Sequence, residues 1–599
     1  MRQSIKAVAA IAMAMLFVAP VLAGDDSTPG TGSVTLIHTG DIHGHLVPRP
    51  NVRSDSTGHL EGGLARVATT VNRIRSQRGY KNTLLINTGD TLQGSAEAMF
   101  SRGQVMIDVL NLFGVQAHAP GNWDYLYGPD RFLETFVGTN GNPPLANWNA
   151  LAANLYYSTL AEDPTTPYPD KAGQRVLPPY SIKTVDNVKV GILGLTTRRG
   201  IAAIGPRVNK GFKFTSGATE LPYYINILRN TEKVDLIVLI SELELANAIV
   251  LVETYPGVDV VLSADMHEKT IKPIVVRTGT ILVEEGQDGT MVGELTLKVA
   301  NHKLASWGWK PHIITDEIDE NKLVAYKVKQ VRKPFVSGSF VPGQTVTIGG
   351  NTTTLLRPVD AVVGYTAIDL HRSNFSNEDM PAVVEGSSHN FLTDAFRWAT
   401  GSDFAAIRGF RYGTHIPPGP ITMGDIYHFL PVAARIAKAY PVYGKQIKDQ
   451  VENSTRSAFD TNTENWRGGW MFGYSGASYD LDASQPYYNR GSNIRINGEL
   501  INPTDTSVRA FSAAGYWFAD DPTTINNCGA CSGVGGAIEV VKDAAGNPLD
   551  STEIVVNYLQ TLPGMTANPT LHRINILRPL PPPLFEFKEM QPLRGAPVP

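Results

Sequence analysis

Five short segments of this chain carry side chains that bind metals, and they come in a telling order. Asp41 and His43 lie in Thr39-Gly40-Asp41-Ile42-His43-Gly44-His45, and Asp90 ends Asn87-Thr88-Gly89-Asp90. Asn122 lies in Pro120-Gly121-Asn122-Trp123-Asp124, Glu242 follows Ser241, and Asp265 and His267 lie in Ser263-Ala264-Asp265-Met266-His267. Oxygen and imidazole donors in this mixture suit one or two divalent transition ions, Mn, Fe or Zn rather than Ca. Any one of these Asp or Asn residues is as well explained as a turn residue or helix cap. Five such segments in succession are not. Glycines beside Asp41, Asp90 and Asn122 let the backbone turn sharply and approach a ligand closely.

The elements that must position these residues are short apolar runs. Val34–Ile37, Thr83–Ile86, Lys189–Leu195, Asp235–Ile240 and Val258–Leu262 predict buried strands. Four of the five donor segments follow directly on one of these runs. In open α/β sheets the C-terminal strand ends converge on a crevice where ligands bind. Gly62–Arg75 predicts a helix with Leu64, Val67, Val71 and Ile74 on one face. The alternation gives an α/β layered domain over 33–315. A charged segment, Asp316–Lys333, predicts a bridging helix, and 316–357 is the junction. A second domain over 358–578 opens with strand Ala361–Tyr365 and helix His389–Thr400, and the Pro-rich tail 579–599 is expected to lie extended.

Composition narrows the function classes. The chain has 599 residues, too many for one core, and its 42% hydrophobic content is that of a globular protein. A net charge of -4 argues against nucleic acid as the main partner. Residues 1–23 have the form of a secretory signal: Arg2 and Lys6, an apolar run over Ala7–Val18, and the small-residue end Val21-Leu22-Ala23. That run is short of the ~20 residues a membrane span needs. We therefore expect cleavage after Ala23, a flexible leader over 24–32, and a periplasmic or secreted protein free of the membrane. Cys528 and Cys531, in a Gly-rich loop, are expected to form a local disulfide.

The order Asp-x-His, Gly-Asp, Gly-Asn and a final residue-x-His resembles the calcineurin-like metallophosphoesterases. The spacing and the second domain resemble their 5'-nucleotidase branch over nearly all of 33–575. The resemblance implies a four-layer αββα metal domain and a C-terminal α/β substrate-recognition domain. It implies two divalent ions, one held by Asp41, His43, Asp90 and His267, the other by Asp90, Asn122, Glu242 and Asp265, with Asp90 bridging. Two ions ~3.5–4 Å apart activate water and stabilise charge on the group attacked.

Four positions depart from the nucleotidase pattern. Trp123 and Leu126 stand where nucleotidases have a His and an Asp that stabilise the transition state. Glu242 and Asp265 stand where the family has His, which hardens the site and favours Mn, ahead of Fe or Zn. Trp after the Gly-Asn is similar to the thiosulfohydrolases of bacterial sulfur oxidation. So are Asp90–Ser95, Phe100–Met106, Gly121–Gly128, Gly409–Thr414 and Pro418–Thr422. This narrower likeness implies a hydrolase releasing sulfate from an S-sulfonated cysteine of a carrier protein, with Asn122 and Trp123 at the reacting centre. Arg411 is the expected anion anchor, assisted by Arg408 and Tyr412. Trp470 and Phe472, with Tyr474 and Tyr479, either stack on substrate or form core. A 5'-nucleotidase or phosphomonoesterase acting on a small nucleotide is the alternative, and a catalytically inactive binding protein on the same fold a second.

Overall fold

The computed structural model describes residues 28–50, 59–200, 208–371, 383–408, 415–460, 462, 465, 471–526 and 537–580. The expected signal segment, Cys528, Cys531, Arg411, Tyr412, Trp470 and the tail beyond residue 580 lie outside these.

The N-terminal domain contains eleven strands that position the site: β1 Gly32–Gly40, β2 Thr83–Gly89, β3 Ala117–Pro120, β4 Tyr180–Val185, β5 Val188–Leu195, β6 Leu236–Ser241, β7 Val260–Ser263, β8 Ile274–Val275, β9 Ile281–Val283, β10 Met291–Ala300 and β11 Lys303–Ile313. They form two sheets, in the orders β11-β10-β1-β2-β3 and β8-β9-β7-β6-β5-β4. The neighbours β1, β2 and β3 run parallel, as do β5, β6, β7 and β9.

Side chains alternate across each strand with period two. Val34, Leu36, Leu84 and Ile86 meet Val238, Ile240, Val260 and Leu262 in one apolar layer between the sheets. The opposite faces are covered as well. Ile37 and Leu85 pack with helix α1, Leu64–Arg78. Ile237, Leu239 and Val261 pack with α2, Glu220–Asn226, and α3, Leu245–Thr254. The result is the four-layer αββα sandwich, and it explains why the strands are apolar on both faces.

Some element ends differ from expectation for local reasons. Helix α1 begins at Leu64 because Gly62 and Gly63 have φ of 75° and 88°, outside the helical region. The bridging helix α4 is Lys322–Arg332, not Asp316–Lys333, because the Asn321 side chain accepts hydrogen bonds from the Leu323 and Val324 N–H groups and caps it there. The end of the expected flexible leader is anchored: the Gly30 N–H donates to Asn187 O, and Gly30 O accepts from the His302 N–H.

Past α4, a five-stranded sheet organises the C-terminal domain. Its strands are β12 Phe404–Ile407, β13 Arg435–Tyr443, β14 Gly473–Ser475, β15 Ala510–Trp517 and β16 Ala537–Val540, in the order β14-β12-β15-β13-β16. Helix α5, Ser387–Thr400, covers one face, where Phe391 and Phe396 meet Ala405. Helix α7, Gly444–Phe459, covers the other, where Ile447 and Val451 meet Phe404. Between them in sequence, α6, Met423–Phe429, is closed at its start by a Thr422–Asp425 capping box and faces the N-terminal domain.

Candidate metal centre

The parallel strands bring their C-terminal ends to one edge. Asp41 follows β1, Asp90 follows β2, Asn122 follows β3, Glu242 follows β6, and Asp265 and His267 follow β7. Backbone contacts knit these loops together across the two sheets. Asp41 Oδ2 accepts from the Asp265 N–H at 3.0 Å and Asp41 Oδ1 from the Asp90 N–H at 3.3 Å. Glu242 Oε1 accepts from the Asn122 N–H at 3.4 Å, and Asp90 Oδ1 from the Trp123 N–H at 2.6 Å. Asp41, His43, Asp90, Asn122, Glu242, Asp265 and His267 are all buried.

Two overlapping triads have donor atoms within 4.8 Å of one another: Asp41, His43 and His267; and Asp41, Asp90 and Glu242. Asp41 belongs to both. Asp90 Oδ2 lies 3.8 Å from His43 Nε2 and so reaches toward either group. The Nε2 atoms of His43 and His267 converge to 2.9 Å. His267 is oriented by Gln287, whose Oε1 accepts from Nδ1 at 2.6 Å, leaving Nε2 for a metal. Gln287 in turn donates from Nε2 to Asp288 Oδ2 at 2.7 Å.

These residues fit divalent ions on three grounds. Asn122 Oδ1 and Glu242 Oε2 are buried with no hydrogen-bond partner among the described residues, a cost a metal would remove. Burial pushes the Glu242 carboxyl well above the usual range, and Asp90, Asp41, Asp265 and Asp124 push it further, so the cluster calls for positive charge. The backbone is also committed. Asp41, His43, Asp265 and His267 have φ of 45°, 48°, 84° and 62°, left-handed values that non-glycine residues hold only where the surroundings impose them. Gly89, with φ 76°, sits where a Cβ would collide with the Asp41 and Glu242 carboxylates.

Other residues at the site carry roles that spacing did not suggest. Asp124 accepts from the N–H groups of Thr91, Leu92 and Gly121, tying the β2 and β3 loops together. Arg199 forms an ion pair with Asp265 Oδ2 and places Nε 3.0 Å from Glu244 Oε1. Burial alone would lower the Arg199 guanidinium, but Asp265, Glu244 and Glu242 outweigh it and hold it above its usual value. Both residues follow strand ends, Arg199 after β5 and Glu244 after β6. A place just after a strand end is the same signal that marks the donors.

Trp123 stands half-buried beside this centre, while Leu126 is 3% exposed in the core. Phe472 corrects an expectation. It is 4% exposed within the C-terminal core, with the Arg408 guanidinium 5.0 Å from its ring centroid, so it has no open face for substrate. Tyr474 and Tyr479 are buried in the same core. Arg408 also donates to Ser457 Oγ at 2.6 Å.

Residues 34–269 match the model of the calcineurin-like phosphoesterases, and residues 362–513 match that of the 5'-nucleotidase C-terminal domain. The chain therefore joins a calcineurin-like phosphoesterase domain to a 5'-nucleotidase C-terminal domain. It superposes on the 5'-nucleotidase precursor of Thermus thermophilus with a TM-score of 0.71 at 22% identity, over 91% of this chain and 99% of that one. It superposes equally on the sulfate thiohydrolase SoxB of Thermus thermophilus, TM-score 0.71 at 17% identity, over 92% and 98%. Equal scores show the shared phosphoesterase fold and do not choose between these two neighbours. Protein UshA of Yersinia enterocolitica is 29% identical over 40% of this chain and 39% of its own length. The chain spans about a third of the length of the first curated relatives it matches.

Proposed function

We propose that this phosphoesterase is an exported hydrolase holding two divalent ions, Mn ahead of Fe or Zn, and that it releases sulfate from an S-sulfonated cysteine of a carrier protein. Asp41, His43, Asp90 and His267 would hold one ion, and Asp90, Asn122, Glu242 and Asp265 would serve the other. Bound ions would activate water and stabilise charge developing on the sulfonate.

The observation that supports the thiosulfohydrolase reading is the pair Trp123 and Leu126. An indole offers only an N–H donor, and Leu126 is sealed in the core. Neither side chain can deliver a proton to a departing alkoxide, which a nucleoside monophosphate must expel and which gains much from a positioned acid. A sulfur anion is a better leaving group and needs that help less. Arg411, from the second domain, would hold the sulfonate oxygens through its planar fork of donors.

A 5'-nucleotidase acting on small nucleotides is the second reading, favoured by the match to a 5'-nucleotidase C-terminal domain. The comparison of kcat/KM on AMP and on an S-sulfonated cysteine peptide separates the two. We expect the peptide to be the better substrate by at least about tenfold, roughly the worth of one lost charge-assisted contact. A clear preference for AMP would replace the thiosulfohydrolase reading with the nucleotidase. Turnover of neither by metal-loaded protein would leave a binding protein on this fold. Export is supported by the charged and apolar start of the chain. No helix among the described residues is long and apolar enough to cross a membrane. N-terminal sequencing of the secreted product should begin after Ala23.

A further inference from the structure

The carboxylates of the centre divide between two kinds of partner. Asp41, Asp90 and Glu242 bring their oxygens together within 4.8 Å, as donors to a metal would. Asp265 instead accepts through Oδ2 from Arg199 Nη2. The same guanidinium reaches Glu244, so it stands clamped between two carboxylates. Glu244 and Asp265 are each 1% exposed, and Arg199 is 13% exposed. The clamp is itself held: Glu244 Oε2 lies 3.4 Å from Arg198 and accepts from Asn247 Nδ2. Glu244 has φ 68° at the start of α3, a left-handed conformation that costs energy at a non-glycine residue. A buried guanidinium between two carboxylates is costly to break, because removal of one partner leaves uncompensated charge.

We propose that Arg199 is a resident counter-cation of this centre and that it makes the two metal positions unequal. This rests on the metal-centre reading above. The position formed by Asp41, His43, Asp90 and His267 draws no donor from the arginine's clamp. The position formed by Asp90, Asn122 and Glu242 draws on Asp265 to complete its donors, and Asp265 already shares its charge with Arg199 through Oδ2. An ion entering there also meets the guanidinium charge at close range, where a partly buried setting screens it little. The chain therefore binds one divalent ion tightly and a second more weakly, with Arg199 setting the difference.

The test is calorimetric titration of the metal-stripped full-length chain with MnCl2, paired with elemental analysis of ions per chain. Wild type should show two steps whose affinities differ by about tenfold or more, the equivalent of one charge-assisted hydrogen bond. Arg199→Gln should tighten the second step by a similar factor and leave the first within about twofold. Arg199→Lys, which keeps the charge, should retain the gap. Glu244→Gln keeps the arginine but leaves Asp265 as the clamp's one carboxylate, so it should widen the gap, which keeps the test open if Arg199→Gln does not fold. Two wild-type steps of equal affinity would overturn the inference while leaving the metal centre intact. A gap unchanged in both Arg199→Gln and Glu244→Gln would overturn it as well. A chain that takes up no ion would sink the metal-centre reading and this inference with it.

Discussion

Asp90 shows how much of the centre hangs on one side chain. Its Oδ1 accepts from the Trp123 N–H, its Oδ2 lies near His43 Nε2, and its carboxylate groups with those of Asp41 and Glu242. Asp41 is the residue common to both triads, and Asp90 is the donor proposed to bridge the two ions. Asp90→Ala should therefore lose both from the purified protein, and elemental analysis reads this directly. Retention of one ion in full would show that Asp90 does not bridge. The neighbouring glycines enforce the same economy of space: a Cβ at Gly121 would collide with Asp90, as one at Gly89 would with Asp41 and Glu242. These glycines are there for the carboxylates' approach as much as for the turn.

Strands β1, β2, β3, β6 and β7 act as a set, because each contributes one donor loop to the centre and one row of side chains to the layer beneath it. Leu36 lies at the middle of that layer, fully buried against residues of both sheets. Leu36→Ala should cost about 2–5 kcal/mol in denaturant unfolding, the usual range for a leucine removed from a packed core. A loss under about 1 kcal/mol would contradict the face-to-face packing of the two sheets. The bridging helix α4 behaves as an element of the N-terminal domain in its contacts. Val324 and Val328 pack into the apolar cluster that includes α1, while Lys327 and Arg332 reach Asp108 and Glu97 at 2.9 and 2.8 Å.

Across the whole molecule, the two domains meet beside the metal loops. His45 stacks on His428 of α6 with centroids 4.3 Å apart, Gln93 Nε2 donates to Pro431 O at 2.6 Å, and Arg49 pairs with Asp425. Burial pushes the His428 imidazole well below its usual value, and His45 and Arg49 push it further. Burial lowers His45 as well. A base with a depressed pKa in the folded state takes up its proton more readily when unfolded. Its contribution to stability is thus complete above the unfolded value, about 6.5, and declines as pH falls below it. The melting temperature should fall from about pH 7.5 to 5.5, on either side of that value, and His428→Gln should have a shallower slope. Equal slopes in variant and wild type would mean that this histidine takes up its proton as readily in the folded protein as in the unfolded chain.

The sequence by itself determined the layered α/β architecture and the edge on which the chemistry sits. A parallel strand buried on both faces has to be an apolar run, and its ligand residues have to follow its C-terminal end; both are local patterns, visible at Thr83–Asp90 and again at Val258–His267. Local chemistry also explains the misplaced helix starts, since a single Asn321 cap or a Gly62-Gly63 pair overrides periodicity. Only the tertiary structure decided what the donors face. Asp265 and Arg199 are 66 residues apart and share no motif, so nothing in either segment announces their ion pair. Asp41 enters both triads because its carboxylate lies between the Asp90 and Asp265 loops and accepts from an N–H of each, an arrangement that the order of motifs does not encode. Phe472 reads the same in sequence whether it lines a cleft or a core. Its burial follows from how α7 and the five-stranded sheet close over it, a matter of packing between distant segments rather than of pattern within one.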